Sequence, residues 1–224
     1  MIWQQAWFRW GGTALLCLQY SLLRETEWST WVKPLPVIFW WLVVLYSPKR
    51  PAAFWLQCSL FAAFVGDIML DLGPDWLLLA TIPFLGSTAL LAFALDRRMR
   101  RNPGRLSLSR EWVILVPLAL LAVGFHASLS QQLAHAAAMG AVLMGLSVLL
   151  LWRATAAALS CKPEAEDPRR WLAVLGCCGI VANYVLYSVD LAGNPMPRDL
   201  VIQVYYWGQA LVAWSFLTNS EQRT

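Results

Sequence analysis

Apolar residues in this chain come in long blocks, broken by short charged or Pro/Gly-containing stretches, and the blocks predict about eight helices. They run over residues 6–23, 33–47, 51–70, 75–95, 111–128, 133–153, 170–190 and 198–217. Most are about 16 to 24 residues long, which spans roughly 30 Å of hydrocarbon as an α-helix. The second is short, and only Ser47-Pro48-Lys49-Arg50 separates it from the third. The pattern predicts an all-α polytopic membrane protein: one transmembrane helical domain over residues 1–224, with no large loop to carry a soluble site. The stretch from Met1 to Tyr20 lacks a small-x-small cleavage site at the right distance and reads as a retained first helix rather than a signal peptide.

Composition agrees with the pattern. The chain is 59% hydrophobic and 13% charged, whereas a soluble domain carries about a quarter charged residues. Many of the 14 tryptophans fall at block ends, among them Trp28, Trp31, Trp76, Trp112, Trp152 and Trp171, where indole rings anchor at the headgroup level. The basic residues then set the orientation. With both termini inside, the inner face receives Arg9, Lys49, Arg50, Arg97, Arg98, Arg100, Arg101, Arg105, Arg110, Arg153, Lys162, Arg169, Arg170 and Arg223. The outer face receives only Arg24, Lys33 and Arg198, which completes the 17. The net charge of +4 is thus a topology signal and gives no support to a nucleic-acid partner. The basic loop from Arg97 to Arg110 reads as a solvated topology determinant before a site for anionic lipid. The compact, loop-poor chain fits a bacterial inner membrane with cytoplasmic termini.

Cys17, Cys58, Cys161, Cys177 and Cys178 show neither a pairing framework nor metal spacing, and in apolar blocks cysteine behaves as a small hydrophobe. His126 and His135 have no nearby carboxylate partner, so no metal or cofactor is expected. No serine elbow is present, and Ser87, Ser128 and Ser147 lack a histidine–acid arrangement.

Asp67 is the chain's most informative residue. It lies in the apolar run Phe61 to Leu70, where a carboxylate costs roughly 2.5 kcal/mol or more at the helix centre and is rarely idle. Asp71 follows one turn later on the same face. Other helices carry polar groups to a similar depth. The seventh presents Asn183, Tyr187 and Asp190 on one face; the eighth presents Tyr205, Tyr206 and Gln209; Lys33 opens the second beside Pro34. Taken singly, Asn183 or Gln209 reads as interhelical glue worth about 1 kcal/mol; taken with Asp67, the set reads as a site. A short echo relates Phe64-Val65-Gly66-Asp67-Ile68-Met69-Leu70 to Ile180-Val181-Ala182-Asn183-Tyr184-Val185-Leu186, which points to a four-plus-four parallel repeat. Ala136, Gly140, Met144 and Gly145 are small or flexible enough to line a close helix contact, although the oligomeric state is not set by the sequence.

At these residues the chain resembles the lysoplasmalogenase-like (YhhN-type) integral membrane family. The matching pieces are Lys33-Pro34-Leu35, Gly66-Asp67, Ala182-Asn183 and Tyr205-Tyr206-Trp207-Gly208-Gln209, in an order and spacing that cover nearly the whole chain. Two positions depart from the family pattern: Asn183 stands where a second acid is usual, and Ser87 or Thr88 replaces a histidine expected after Pro83-Phe84-Leu85-Gly86. The resemblance implies hydrolysis of the vinyl ether bond of lysoplasmalogens to a fatty aldehyde and a glycerophospho-ethanolamine or -choline. That chemistry needs a protonated carboxylic acid, and burial in apolar surroundings favours the neutral form of a carboxyl. On this reading Asp67 is the acid and Asn183 orients water or holds substrate. Asp71 or Asp190 stands in as base, Lys33 meets the lipid phosphate, and Tyr206 or Gln209 bonds the glycerol, with Tyr187 and Tyr205 also lining the lipid site. A non-catalytic lipid binder or transporter of the same fold is the alternative, and a structural or partner-binding role the third.

Overall fold

The computed structural model describes residues 5–26, 28–47, 51–100, 108–133, 137–160 and 170–217. Among them the chain is helical nearly throughout. The helices are α1 (Ala6–Leu23), α2 (Ser29–Val32), α3 (Leu35–Leu45), α4 (Pro51–Asp71), α5 (Leu77–Arg100), α6 (Leu108–Leu133), α7 (Ala137–Leu159), α8 (Arg170–Leu191) and α9 (Arg198–Leu217). A helix overlies each predicted block: the second, 33–47, corresponds to α3, and the one-turn α2 lies just before it, set apart at Lys33-Pro34 because proline lacks the N–H that would continue a helix. Six helices, α4 to α9, are long and apolar enough to cross a membrane among the described residues. The run Ser29–Leu45 is a shorter apolar element. The protein is a polytopic helical membrane bundle.

Observed helices overrun the apolar blocks where strong helix formers follow. α5 continues through Asp96, Arg97 and Arg98 to Arg100, since neither glycine nor proline interrupts before Pro103. Pro83 and Pro117 sit inside α5 and α6, as bundle helices tolerate when neighbours satisfy the freed backbone groups. Two tight turns, α4 to α5 and α8 to α9, pass through Gly73 (φ +122°) and Gly193 (φ +89°). Left-handed backbone there strains any residue with a Cβ. These two hairpins are the places where the echoed sequences sit, one in α4 and one in α8.

Burial ranks the helices. Eleven of the 20 residues of α9 are buried, Tyr205, Tyr206 and Gln209 among them, whereas α6 turns Trp112, Val113, Val116, Leu120, Leu121 and Val123 outward. With no water-driven collapse between helices in lipid, close approach relies on small residues. A Cβ built on Gly176 would stand 2.6 Å from the Gly208 carbonyl oxygen and 2.7 Å from the Val212 amide nitrogen. One on Gly208 would meet the Gly176 oxygen and the Ile180 nitrogen, each at 2.9 Å. α8 and α9 therefore touch backbone to backbone. Of the small residues expected at a close contact, Met144 is buried in the core, Gly145 faces out with nothing within 4 Å of an added Cβ, and Ala136 lies outside the described residues.

Polar groups sort to the two ends of the bundle. Arg24 pairs with Asp199, and Lys33 with Asp71, at one end. Arg153 lies 3.3 Å from Asp96 and Arg98 donates to Ser215 Oγ at 3.2 Å at the other. Gly208→Ala is expected to destabilise the bundle by about 1–3 kcal/mol, because backbone atoms cannot yield as side chains do. Gly145→Ala should stay within about 0.5 kcal/mol of the parent. Thermal unfolding of the two variants in detergent checks both.

Candidate functional site

Asp67 sits on α4, 3% exposed, with an Oδ2 that has no hydrogen-bond partner among the described residues. It lines a cavity of about 420 Å³ bounded by α4, α5, α7, α8 and α9. The neighbouring Gly66 explains how that cavity gets its floor. An added Cβ there would meet the Phe84 ring at 2.8 Å, so glycine lets Phe84 cross from α5 and stack edge-on against Tyr205, ring centres 6.1 Å apart. Apolar lining comes from Leu70, Leu77, Leu143 and Ile202. The polar lining is Lys33, Thr81, Asn183, Tyr184, Tyr187, Asp190, Arg198, Tyr205 and Tyr206 with Asp67 itself.

Most of the residues singled out from the sequence converge here, but several are already engaged. Lys33 and Asp71 form an ion pair at 2.5 Å with side chains 8% and 9% exposed. Tyr206 donates its hydroxyl to the Lys33 carbonyl, tying α9 to the start of α3. Asn183 donates Nδ2 to the Val201 carbonyl at 2.7 Å, bridging α8 and α9. Asp190 accepts the Met196 backbone N–H at 3.0 Å and holds the α8–α9 turn. Gln209 lies one turn below Tyr205, 2% exposed, outside the cavity lining. Asp71 lines not this cavity but a second one.

The second cavity, about 580 Å³, is bounded by Tyr20, Arg24, Glu25, Ser29, Lys33, Asp71, Pro197 and Arg198. It shares Lys33 and Arg198 with the first. Arg198, like Thr81 and Tyr184 of the first cavity, was not singled out from the sequence as part of a site, having been counted only as an orientation charge. Its signal was position, immediately after the Pro195-Met196-Pro197 turn that delivers it to the cavity mouth.

The two candidates for the replaced histidine separate in space. Ser87 meets Ser59 of α4, with Ser59 donating to the Ser87 carbonyl at 2.8 Å. Thr88 donates to the Phe84 carbonyl and receives the hydroxyl of the cavity-lining Tyr184, each at 2.9 Å. Among the described residues no group of three or more His, Cys, Asp or Glu is placed to hold a metal ion. Cys17, Cys58, Cys177 and Cys178 are free, whereas Cys161 and His135 lie outside the described residues.

Removing one member of the Lys33–Asp71 pair leaves a largely buried charge. Asp71→Asn is expected to lower stability by about 2–3 kcal/mol, less than for a fully buried pair because lysine reaches toward the headgroups. Combining Lys33→Met with Asp71→Leu should recover most of the loss, as a double-mutant cycle on unfolding would show.

Neither the curated proteins nor the solved structures include a match to this chain. The model of the YhhN family matches residues 28–216, a stretch that takes in α2 through nearly all of α9 and every cavity residue named above apart from Tyr20, Arg24 and Glu25. With its helical membrane bundle and its matched span covering most of the sequence, this chain belongs to the YhhN family.

Proposed function

We propose that this chain is a membrane-embedded hydrolase resembling lysoplasmalogenase, which cleaves the vinyl ether bond of a lysoplasmalogen to a fatty aldehyde and a glycerophospho-ethanolamine or -choline. The observation that carries the reading is Asp67: a buried carboxyl with an unpartnered oxygen, facing an apolar-floored cavity ringed by phenols. A membrane protein rarely keeps an acid at such a position without use.

The reaction consumes one water. Asp67 enters it protonated and gives its proton to the vinyl carbon remote from oxygen, leaving an oxocarbenium ion. Water adds to the carbon bearing the ether oxygen and passes its spare proton back to the Asp67 carboxylate, so the acid is regenerated. The resulting hemiacetal breaks its carbon–oxygen bond to the glycerol, its hydroxyl proton passing to the leaving glycerol oxygen, to give aldehyde and alcohol. This sequence needs no second carboxylate and no cofactor. It gives Asn183, whose Nδ2 is committed to Val201, the task of orienting water through its oxygen. Asp71 is set aside as a base by its bond to Lys33, and Asp190 is the other carboxylate that lines the cavity. Phenols of Tyr187, Tyr205 and Tyr206 face the lipid. The reading places the basic end of the bundle at the cytoplasmic side of a bacterial inner membrane, by the positive-inside rule.

One observation favours a second reading, a lipid binder that does not cleave: the usual second acid is Asn183, and its amide serves to join α8 and α9. The purified protein is expected to release aldehyde from a lysoplasmalogen. Asp67→Asn should lower turnover by about 10²- to 10⁴-fold, the range of general acid catalysis, with its unfolding temperature little changed. A folded parent that binds the lipid and releases no aldehyde would establish the binder instead.

A further inference from the structure

We propose that Arg198 is the phosphate anchor of this site, holding the phosphodiester of a single-chain amphiphile at the junction of the two cavities. The inference rests on the lipid-site reading of the Asp67 cavity and assigns a role that Lys33 had on sequence grounds alone.

The cations at this end of the bundle settle the choice. Three basic side chains line the second cavity, Arg24, Lys33 and Arg198. Lys33 is neutralised by Asp71 at 2.5 Å. Arg24 is bonded to Asp199 and lies 3.5 Å from Glu25. Arg198 makes no ion pair among the described residues. It is also one of two residues common to both cavities, and Lys33, the other, is the one already paired. A guanidinium binds a phosphate in a planar two-pronged geometry, which an ammonium cannot match.

The lining on either side of Arg198 fits the two halves of such a molecule. On one side lie Asp67, Phe84 and Leu143, acid and hydrocarbon surface. On the other lie Ser29, Glu25 and Asp71, polar groups suited to a hydrated headgroup. Phenols flank the junction, Tyr187 in the first cavity and Tyr20 in the second. A phosphate held at Arg198 leaves the glycerol and the first carbons of the chain to enter the Asp67 cavity, while the headgroup stays in the polar one.

Binding tests this without turnover. The ligands are an uncleavable 1-alkyl-glycerophosphocholine and the corresponding 1-alkylglycerol, which lacks the phosphate, each titrated against purified protein in nonionic detergent. The parent is expected to favour the phosphate-bearing ligand. Arg198→Gln should weaken that ligand by about tenfold or more, as loss of a charged hydrogen bond implies, and leave the alkylglycerol unchanged. Arg198→Lys should keep part of the preference, and Arg97→Gln at the opposite end should leave it as in the parent. Equal affinity of the parent for both ligands, or an equal loss of both in Arg198→Gln, would overturn the assignment. So would displacement of the lysophospholipid by inorganic phosphate at similar concentration, which marks a free-anion site. If the binding difference holds while no aldehyde forms, the anchor stands and the hydrolase does not. Unaltered binding with intact turnover gives the reverse.

Discussion

At Gly176, Gly179 and Gly208 the backbones of α8 and α9 meet with no side chain between them; the Gly179 position has the Gly208 Cα and the Val204 oxygen each only 3.1 Å from where a Cβ would stand. In a bilayer, where apolar side chains gain nothing by leaving lipid for each other, such contacts decide which helices pair and at what depth. Much of the site depends on this one. It sets Asn183 opposite the Val201 carbonyl. It also fixes α9 so that Tyr205 meets Phe84 and Tyr206 reaches the Lys33 carbonyl. α8 and α9 in turn supply much of the cavity lining, from Asn183, Tyr184, Tyr187 and Asp190 on one side and Arg198, Val201, Ile202, Tyr205 and Tyr206 on the other.

Charge is handled in the same economical way. Among the described residues two ion pairs with little exposure join helices, Lys33 with Asp71 and Arg153 with Asp96. Paired charges of this kind contribute little net stability but are costly to break. Among the described residues two groups stand apart: Asp67, buried with an unpartnered oxygen, and Arg198, which makes no ion pair and lines both cavities. An acid below and a cation above, separated by a mostly apolar chamber, describe a site for an amphiphile with an anionic group near its polar end. The same arrangement serves cleavage or simple capture, and the chemistry at Asp67 distinguishes them.

The membership of the YhhN family and the membrane bundle were both legible in the amino-acid order. Helix blocks follow from apolar length, a one-dimensional property, and the ends differ because good helix formers, Arg97-Arg98-Met99-Arg100, carry α5 past its hydrocarbon span. Motif order did the same for Asp67, Asn183 and the Tyr205-Tyr206 pair, which lie around one cavity. The glycines of the α8–α9 contact passed unnoticed, since a glycine in an apolar helix looks alike whether it touches a backbone, as Gly208 does, or open space, as Gly145 does.

Sequence alone thus determined the number and placement of the apolar blocks, the unequal split of basic residues between loops and the presence of an acid inside a span, because each is a property of composition along a line. Tertiary structure decided which polar groups remain available. Lys33 and Asp71 are 38 positions apart and cancel each other; Gln209, one helical turn from Tyr205, falls below the cavity; Arg198, unremarkable in the sequence, ends at its mouth. Whether a charge is spent on a neighbour or left for a ligand depends on contacts between helices distant in the chain, and such contacts exist only once the helices are packed.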